Sequence, residues 1–154
     1  MIALIPARAG SKRVVGKNTK LLAGHPLIAY TIAAAQQSGV FTDGVLVCSD
    51  DPAVYDVAVP MGVDLWERAP VSDTQCDIEW VREVMKPQPA DSFAILRPTS
   101  PFRTAATIQR AHQRFKASNG HSIRAVQPVT EHPGKMWQCP FGEQASMWPL
   151  IPET

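Results

Sequence analysis

The chain has 154 residues, a length that suits one compact domain with its own hydrophobic core. Hydrophobic residues make up 45% of the sequence and the formal net charge is only +1, so neither a nucleic-acid polymer nor a membrane is predicted as a partner. The three cysteines are widely spaced and include no C-x-x-C pair, which argues against a disulfide framework or a zinc site and favours a reducing cytoplasm.

The stretch from Ile2 to Asn18 is typical of a short apolar strand that runs directly into a basic, glycine-containing loop. Cations and small residues alternate in this loop, which contains Arg8, Gly10, Ser11, Lys12, Arg13, Gly16 and Lys17. Backbone amides and cationic side chains can converge there on one anion, and a polyphosphate fits that geometry best. The alternative interpretation is a solvated basic turn.

Two known phosphate-binding motifs do not match this loop. Gly10 and the pair Gly16-Lys17 resemble G-x-x-x-x-G-K-[ST], but one extra residue separates the glycines. Asn18 also stands where a serine or threonine hydroxyl should bind Mg²⁺. Because G-x-G-x-x-G is absent as well, neither a P-loop NTPase nor a dinucleotide-binding protein is predicted.

Apolar periodicity predicts helices and strands that alternate along the chain. Helices are expected over residues 26–38 and from residue 52 to Gly62. Two more are expected, one that is capped by residue 73 or 74 and ends at Pro87, and one that begins after a cap at Thr104. Further strands are expected over residues 44–49, 63–66, 92–96 and 122–126. The buried faces of the last two helices are predicted to consist of Ile78, Val81, Val84 and Met85, and of Ile108, Ala111 and Phe115.

This alternation predicts an α/β domain with a mainly parallel sheet. In open α/β sheets, ligands bind beyond the carboxyl ends of the strands. The polar segments that follow the first four predicted strands are residues 8–18, 49–51, 67–68 and 97–103. We therefore expect these segments to line one cleft.

Several stretches also occur in the order found in a known family. They are IPARAGSKRVVGKN with LLAGHPLIAYTIAAA, then VLVCSDD, RAPVSDT, LRPTSPFRT and HPGKMW, between Met1 and Trp137. Together they resemble the cytidylyltransferases that activate nonulosonic acids, which are the CMP-sialic acid synthetases and their legionaminic and pseudaminic relatives. The resemblance implies a Rossmann-like three-layer nucleotide-diphospho-sugar transferase fold, C-terminally incomplete. It further implies a CTP-binding domain over residues 1–137 and an irregular tail over residues 138–154 that begins a missing dimerisation or substrate segment.

The reaction implied by this resemblance transfers CMP from CTP to a sialic-acid-like nonulosonate and releases pyrophosphate. Mg²⁺ is the implied cofactor, and a homodimer is the implied assembly of the full-length family. Two alternatives remain open: a catalytically inactive nucleotide-binding or regulatory module, and a cytidylyltransferase for another sugar acid such as 3-deoxy-manno-octulosonate. The segment Pro98-Thr99-Ser100-Pro101 argues against the octulosonate enzyme, which would have a metal-binding acidic segment there.

The resemblance also implies roles for individual residues. Arg8, Lys12 and Lys17 would act as catalytic cations that hold the triphosphate. The nucleotide site would consist of Ala7, Arg8, Gly10, Ser11, Lys12, Lys17, Asn18, Arg68 and Ser100. Arg97 and Lys135 would contact the sugar acid, although Lys135 is equally consistent with an exposed loop lysine. Arg103 would either shape the floor of the cleft or support the adjacent helix.

Two departures from the family pattern affect these expectations. Arg97 stands where many members have a glutamine, and a guanidinium cannot accept hydrogen bonds, so substrate choice should differ if this residue touches the sugar. The family's metal-binding aspartates correspond to positions beyond Thr154, so no metal ligand is assigned in this chain. Asp50 is the remaining candidate, and the alternative for Asp50 and Asp51 is a helix cap beside Pro52.

Overall fold

The computed structural model describes residues 1–11, 14–69 and 77–126, together with two short strands near the C-terminus. The chain divides into two compact units, Met1–His121 and Ser122–Thr154. The described elements of the first unit are β1 (Ile2–Pro6), β2 (Leu21–Leu22), β3 (His25–Pro26), α1 (Leu27–Ser38), β4 (Val45–Ser49), α2 (Pro52–Ala58), a 3₁₀ turn (Val59–Met61), β5 (Asp64–Glu67), α3 (Asp77–Met85), β6 (Phe93–Ile95) and α4 (Ala105–Ala117).

The main sheet of the first unit has four parallel strands in the order β5-β4-β1-β6. β1 is central, and its residue Leu4 lies opposite Leu46 of β4 on one side and Ile95 of β6 on the other. The strand order reverses beside β1, since β4 and β5 continue on one side and β6 is added on the other. Such a reversal opens a crevice at the carboxyl edge of the sheet, next to the loop that follows β1. The predicted α/β fold with a mainly parallel sheet is confirmed.

Helices cover both faces of this sheet. One core cluster joins Ile5 of β1 to Ile28 and Ile32 of α1, and it also includes residues of α2 and α4. The other joins Leu4 and Leu46 to the buried side of α3. Because successive side chains of a strand point to opposite faces, the apolar run of β1 can supply both clusters. The result is the predicted three-layer arrangement.

The helix ends follow local side-chain chemistry. The N-cap of α2 is Asp51, whose carboxylate accepts a hydrogen bond from Ala53 N at 3.0 Å. Thr104 caps α4 and accepts from Thr107 N at 3.3 Å, as predicted. α1 ends at Gly39 with φ of 64°, a left-handed conformation that glycine adopts without strain. Of the two aspartates predicted as possible caps, Asp51 is the N-cap of α2 and Asp50 is not.

Three expectations about the elements are wrong. No strand forms over residues 122–126, all of which are exposed, because a strand also requires a paired neighbour and apolar content alone does not supply one. In α3, Ile78 is 51% exposed, whereas Trp80 is only 3% exposed and lies in the core instead. Ala111 of α4 is exposed as well, so Ile108 is the buried residue of that helix. The proposed caps at residues 73 and 74 lie outside the described residues.

The second unit contains a two-stranded antiparallel pair, β7 (Trp137–Gln138) and β8 (Trp148–Pro149), which the sequence did not predict. Trp137 lies opposite Pro149, and Gln138 opposite Trp148. The domain boundary between residues 137 and 138 stays a prediction. In the part of the chain that the structure describes, no helix is both long and apolar enough to cross a membrane.

Cys48 in β4 is expected to resist thiol reagents in the folded protein. Its side chain is fully buried, and burial raises the pKa of the thiol to about 12, against a smaller opposing effect of the Arg68 charge. Because the thiolate is the reactive form, alkylation at pH 8 should be slow until the chain unfolds. Iodoacetamide labelling followed by peptide mass spectrometry, with and without urea, measures this directly. Rapid labelling of the Cys48 peptide without urea would contradict the assigned burial.

Candidate active site

The loop after β1 lies at the crevice where the strand order reverses. Ala7 is buried and continues the strand pairing, since its N–H donates to Cys48 O at 2.9 Å. Arg8 and Gly10 are exposed, while Ser11 and Lys17 are half-buried. Gly10 has φ of 73° and Gly16 has φ of 60°, so the loop turns twice through conformations that favour glycine. The backbone at both turns would be strained by any larger residue.

Asp50 holds this loop in place. Its Oδ1 accepts a hydrogen bond from the backbone N–H of Ala9 at 2.6 Å, although the two residues are 41 positions apart in the chain. Ala9 lies between Arg8 and Gly10, so the contact ties the middle of the basic loop to the carboxyl end of β4. A carboxylate that accepts from a backbone N–H makes a charge-assisted hydrogen bond, which is stronger than a neutral one. Neither of the roles considered from sequence, cap or metal ligand, describes this contact.

Ser49 joins the same two loops through its buried hydroxyl. Ser49 Oγ donates to Ala7 O at 2.6 Å and accepts from Asp51 N at 3.0 Å. The hydroxyl of Tyr55 donates to Ser49 O at 2.6 Å. The short polar segment after β4 thus fixes the backbone on both sides of the crevice.

Asn18 closes the other end of the basic loop. It is 7% exposed, and its Nδ2 donates to Arg8 O at 3.2 Å. Its backbone O accepts from Ile28 N at 2.9 Å, which anchors the loop to the first turn of α1. Asn18 therefore brings residues 8 and 17–18 together, as expected for a loop that wraps around one ligand. In this structure its amide supports the loop backbone.

Arg68 follows β5 and is almost buried, with 9% exposure. Its backbone N–H donates to Ser49 O at 2.9 Å, and its guanidinium lies over the ring of Trp80, 4.9 Å from the ring centroid. Burial lowers the pKa of Arg68, whereas the negative charges of Asp50 and Asp77 oppose that effect. A guanidinium stays ionised at neutral pH despite such a shift, so Arg68 supplies a fixed positive charge at this edge of the sheet.

Arg97 follows β6 and forms an ion pair with Asp77 at the start of α3. The same carboxylate accepts from Trp80 Nε1 at 3.0 Å. Arg97 was predicted to contact a sugar acid, and the structure adds a neighbour that the sequence did not indicate. Asp77 and Trp80 are three positions apart on a helix, a spacing that places them on one face and could have indicated their contact.

The rest of the loop after β6 is built around a tight turn. Ser100 is exposed, and its backbone N–H donates to Arg97 O at 3.3 Å. Arg103 Nη2 also donates to Arg97 O at 3.4 Å, and burial lowers the pKa of Arg103. These contacts favour the structural role over the cleft floor for Arg103. Leu96 N donates to Leu4 O at 2.9 Å, so this loop starts beside the strand β1.

Some predicted site residues lie outside the described residues, namely Lys12, Arg13 and Lys135. Within the described ranges, no group of three or more His, Cys, Asp and Glu side chains could hold a metal ion. Asp50, the candidate from sequence, already accepts the Ala9 N–H. The described residues therefore do not by themselves make up a Mg²⁺ site.

The fold and the site together define a Rossmann-like α/β protein, with a cationic loop at the point where the strand order reverses. A family model described as "Cytidylyltransferase" matches residues 2–134. The chain belongs to the cytidylyltransferase family.

Two curated relatives illustrate the match. The chain is 43% identical over 141 residues to the CMP-N,N'-diacetyllegionaminic acid synthase of Legionella pneumophila, a match that covers 86% of this chain and 60% of the relative. It is 39% identical over 119 residues to the N-acylneuraminate cytidylyltransferase of Escherichia coli O18:K1:H7, covering 75% of this chain and 28% of the relative. The chain thus spans between about a quarter and three fifths of the length of these relatives.

A solved structure shares the fold. It is a CMP:2-keto-3-deoxy-manno-octonic acid synthetase complexed with CTP, with a TM-score of 0.66 and 26% sequence identity. The match covers 75% of this chain and 47% of that chain. The nucleotidyltransferase fold implied by the sequence motifs is therefore confirmed.

Proposed function

We propose that this chain carries the CTP-binding part of a cytidylyltransferase, which transfers CMP to a sialic-acid-like nonulosonate and releases pyrophosphate. The observation that carries the proposal is the position of the basic loop, which is tied by Asp50 and Asn18 to the crevice beside β1. The similarity to enzymes named for legionaminic and N-acylneuraminic acids supports the choice of sugar acid.

In the proposed reaction, the anomeric hydroxyl of the sugar acid attacks the α-phosphorus of CTP, and pyrophosphate leaves. Negative charge grows on the phosphate oxygens and on the leaving group, so fixed cations beside them lower the barrier. We assign this role to Arg8, Lys12 and Lys17. In this proposal the backbone amides of Gly10 and Ser11 complete the phosphate site.

The remaining assignments follow the same proposal. Arg68 and Ser100 border the nucleotide, and Arg97 and Lys135 face the sugar acid. Mg²⁺ is the expected cofactor. When bound, it would neutralise phosphate charge, and its ligands would have to include groups besides the described residues. A homodimer in a reducing cytoplasm remains our expectation for the complete enzyme.

Calorimetric titration of CTP against the chain tests the phosphate role of the loop. Arg8→Ala and Lys17→Ala should each weaken CTP binding about tenfold, since each removes a charge-assisted contact of about 1.5 kcal/mol. Lys116→Ala is the matched control, because Lys116 is an exposed cation in the last turn of α4. Unchanged affinity in both loop variants would refute the phosphate role, whereas a loss in the control would indicate non-specific attraction.

A second assay separates the alternatives for the reaction. Pyrophosphate release is measured with CTP, Mg²⁺ and either N-acetylneuraminic acid or 3-deoxy-manno-octulosonate. Release with the octulosonate alone would favour the activity of the structural relative that was solved with CTP. CTP binding without release for either acid would favour a nucleotide-binding module. Release with the nonulosonate supports our proposal.

A further inference from the structure

Two arginines of the candidate site are joined by contacts that run through the first turn of α3. Asp77 Oδ2 accepts a hydrogen bond from the Arg97 guanidinium, and Asp77 Oδ1 accepts one from Trp80 Nε1 at 3.0 Å. The Trp80 ring in turn lies below the guanidinium of Arg68, at 4.9 Å. A continuous series of contacts therefore connects Arg97 with Arg68.

This series spans the carboxyl edge of the sheet. Arg68 directly follows β5 and Arg97 comes soon after β6, and these are the two outer strands of the sheet, with β4 and β1 between them. Three spacings between neighbouring strands amount to about 14 Å. Trp80 is 3% exposed, so its ring is fixed in the core and gives the series a rigid centre. In the order of the sheet, the strand β1 that leads into the basic loop lies between the two strands that these arginines follow.

We propose that Asp77 is a positioning residue of this site, which orients the Arg97 guanidinium directly and the Arg68 guanidinium through Trp80. The inference rests on the proposed cytidylyl transfer. A long side chain such as arginine has many rotamers, and restraining it before the ligand arrives lowers the entropy that binding costs. Asp77 and Trp80 thereby hold two positive charges at a set spacing, with Arg68 beside the nucleotide and Arg97 beside the sugar acid.

The charge state of Asp77 is consistent with this role. Burial acts to raise the pKa of Asp77, but hydrogen bonds from Trp80 and Arg97 and the charges of Arg97 and Arg68 lower it overall. The carboxylate is therefore ionised at neutral pH. Because the pKa is lowered by folding, the contribution to stability is present above the ordinary value of about 3.9 and is lost as the pH falls through the lowered value. Measurements at pH 7 therefore probe the intact contacts.

The contacts themselves are tested first, without any substrate. In a ¹⁵N-labelled chain, the indole N–H signal of Trp80 is identified by its loss in Trp80→Phe. Asp77→Asn should shift this signal, since it removes the charge from the acceptor. Glu79→Gln is the matched control, because Glu79 is an exposed acid in the same turn of α3, and it should leave the signal in place. An unchanged Trp80 signal in Asp77→Asn would overturn the proposal.

The second test is CTP affinity. Asp77→Asn should weaken CTP binding about fivefold to tenfold, Asp77→Glu should restore part of the loss, and Glu79→Gln should bind as the wild type does. The thermal midpoint, measured in parallel, should change little in these variants, which separates positioning from a general loss of structure. Wild-type affinity in Asp77→Asn would overturn the positioning role alone. Absence of CTP binding in the wild type would overturn the proposed function, and the positioning role with it.

Discussion

Removing the Asp50 side chain is expected to release the basic loop and to weaken CTP binding about tenfold. Asp50 Oδ1 is the acceptor for Ala9 N–H, and a hydrogen bond to a charged group contributes about 1.5 to 3 kcal/mol. Asp50→Ala removes the acceptor and the charge together. Asp50→Asn keeps an acceptor oxygen and removes only the charge, so calorimetric titration of CTP against both variants separates the two effects.

We expect Asp50→Asn to bind CTP at least ten times more tightly than Asp50→Ala, because a lost negative charge by itself does not disfavour an anionic ligand. Asp56→Ala serves as the control, since Asp56 is an exposed aspartate of α2. Equal affinities in the two Asp50 variants would show that the hydrogen bond to Ala9 does not order the loop for binding.

Truncation of Leu4 is expected to cause the largest loss of stability, about 3 to 5 kcal/mol in the free energy of unfolding. Leu4 is fully buried in the central strand and shares its core cluster with Leu46, Cys48 and Trp80. Leu4→Ala removes apolar contacts and leaves a cavity between the sheet and α3, and both effects destabilise the fold. Urea denaturation followed by circular dichroism measures the change.

The control for this prediction is the same substitution at an exposed position. Leu21 is 67% exposed in β2, so Leu21→Ala should change the free energy of unfolding by less than about 0.5 kcal/mol. If Leu4→Ala is too unstable to measure, Leu4→Val gives the smaller loss that can be quantified. A change in Leu4→Ala as small as that in Leu21→Ala would contradict the central position of β1 in the core.

The ion pair of Arg97 bears on substrate choice. The sequence comparison within the family singled out this residue because a cation replaces the usual glutamine. The structure pairs that cation with Asp77, and both side chains remain about half exposed. Under the proposed function, an incoming sugar acid would meet an arginine whose orientation is already restrained by a carboxylate. We therefore expect specificity at this position to depend on the pair, because substitution of Arg97 alone would leave Asp77 without this ion pair.

Local signals in the sequence were sufficient for most of the elements. The apolar run of β4, the helical spacing of α1 and the threonine cap of α4 each follow from chemistry within a few residues. Residues 122–126 failed as a strand because pairing depends on a neighbour that periodicity does not specify. Ile78 failed as a core residue because α3 turns Trp80 inward instead, and a larger apolar side chain gains more from burial.

For the site as well, some features follow from local sequence and others depend on tertiary contacts. That one loop is cationic and contains glycines, and that it follows the first strand, can be predicted from sequence because these properties lie within residues 7–18. The contacts of Asp50 and Asp77 become visible only in the folded chain, since the hydrogen bond from the Ala9 N–H to Asp50 and the ion pair of Asp77 with Arg97 join residues 41 and 20 positions apart. Such contacts exist because parallel strands bring distant loops to one edge of the sheet. Local sequence patterns do not specify which of these loops become neighbours.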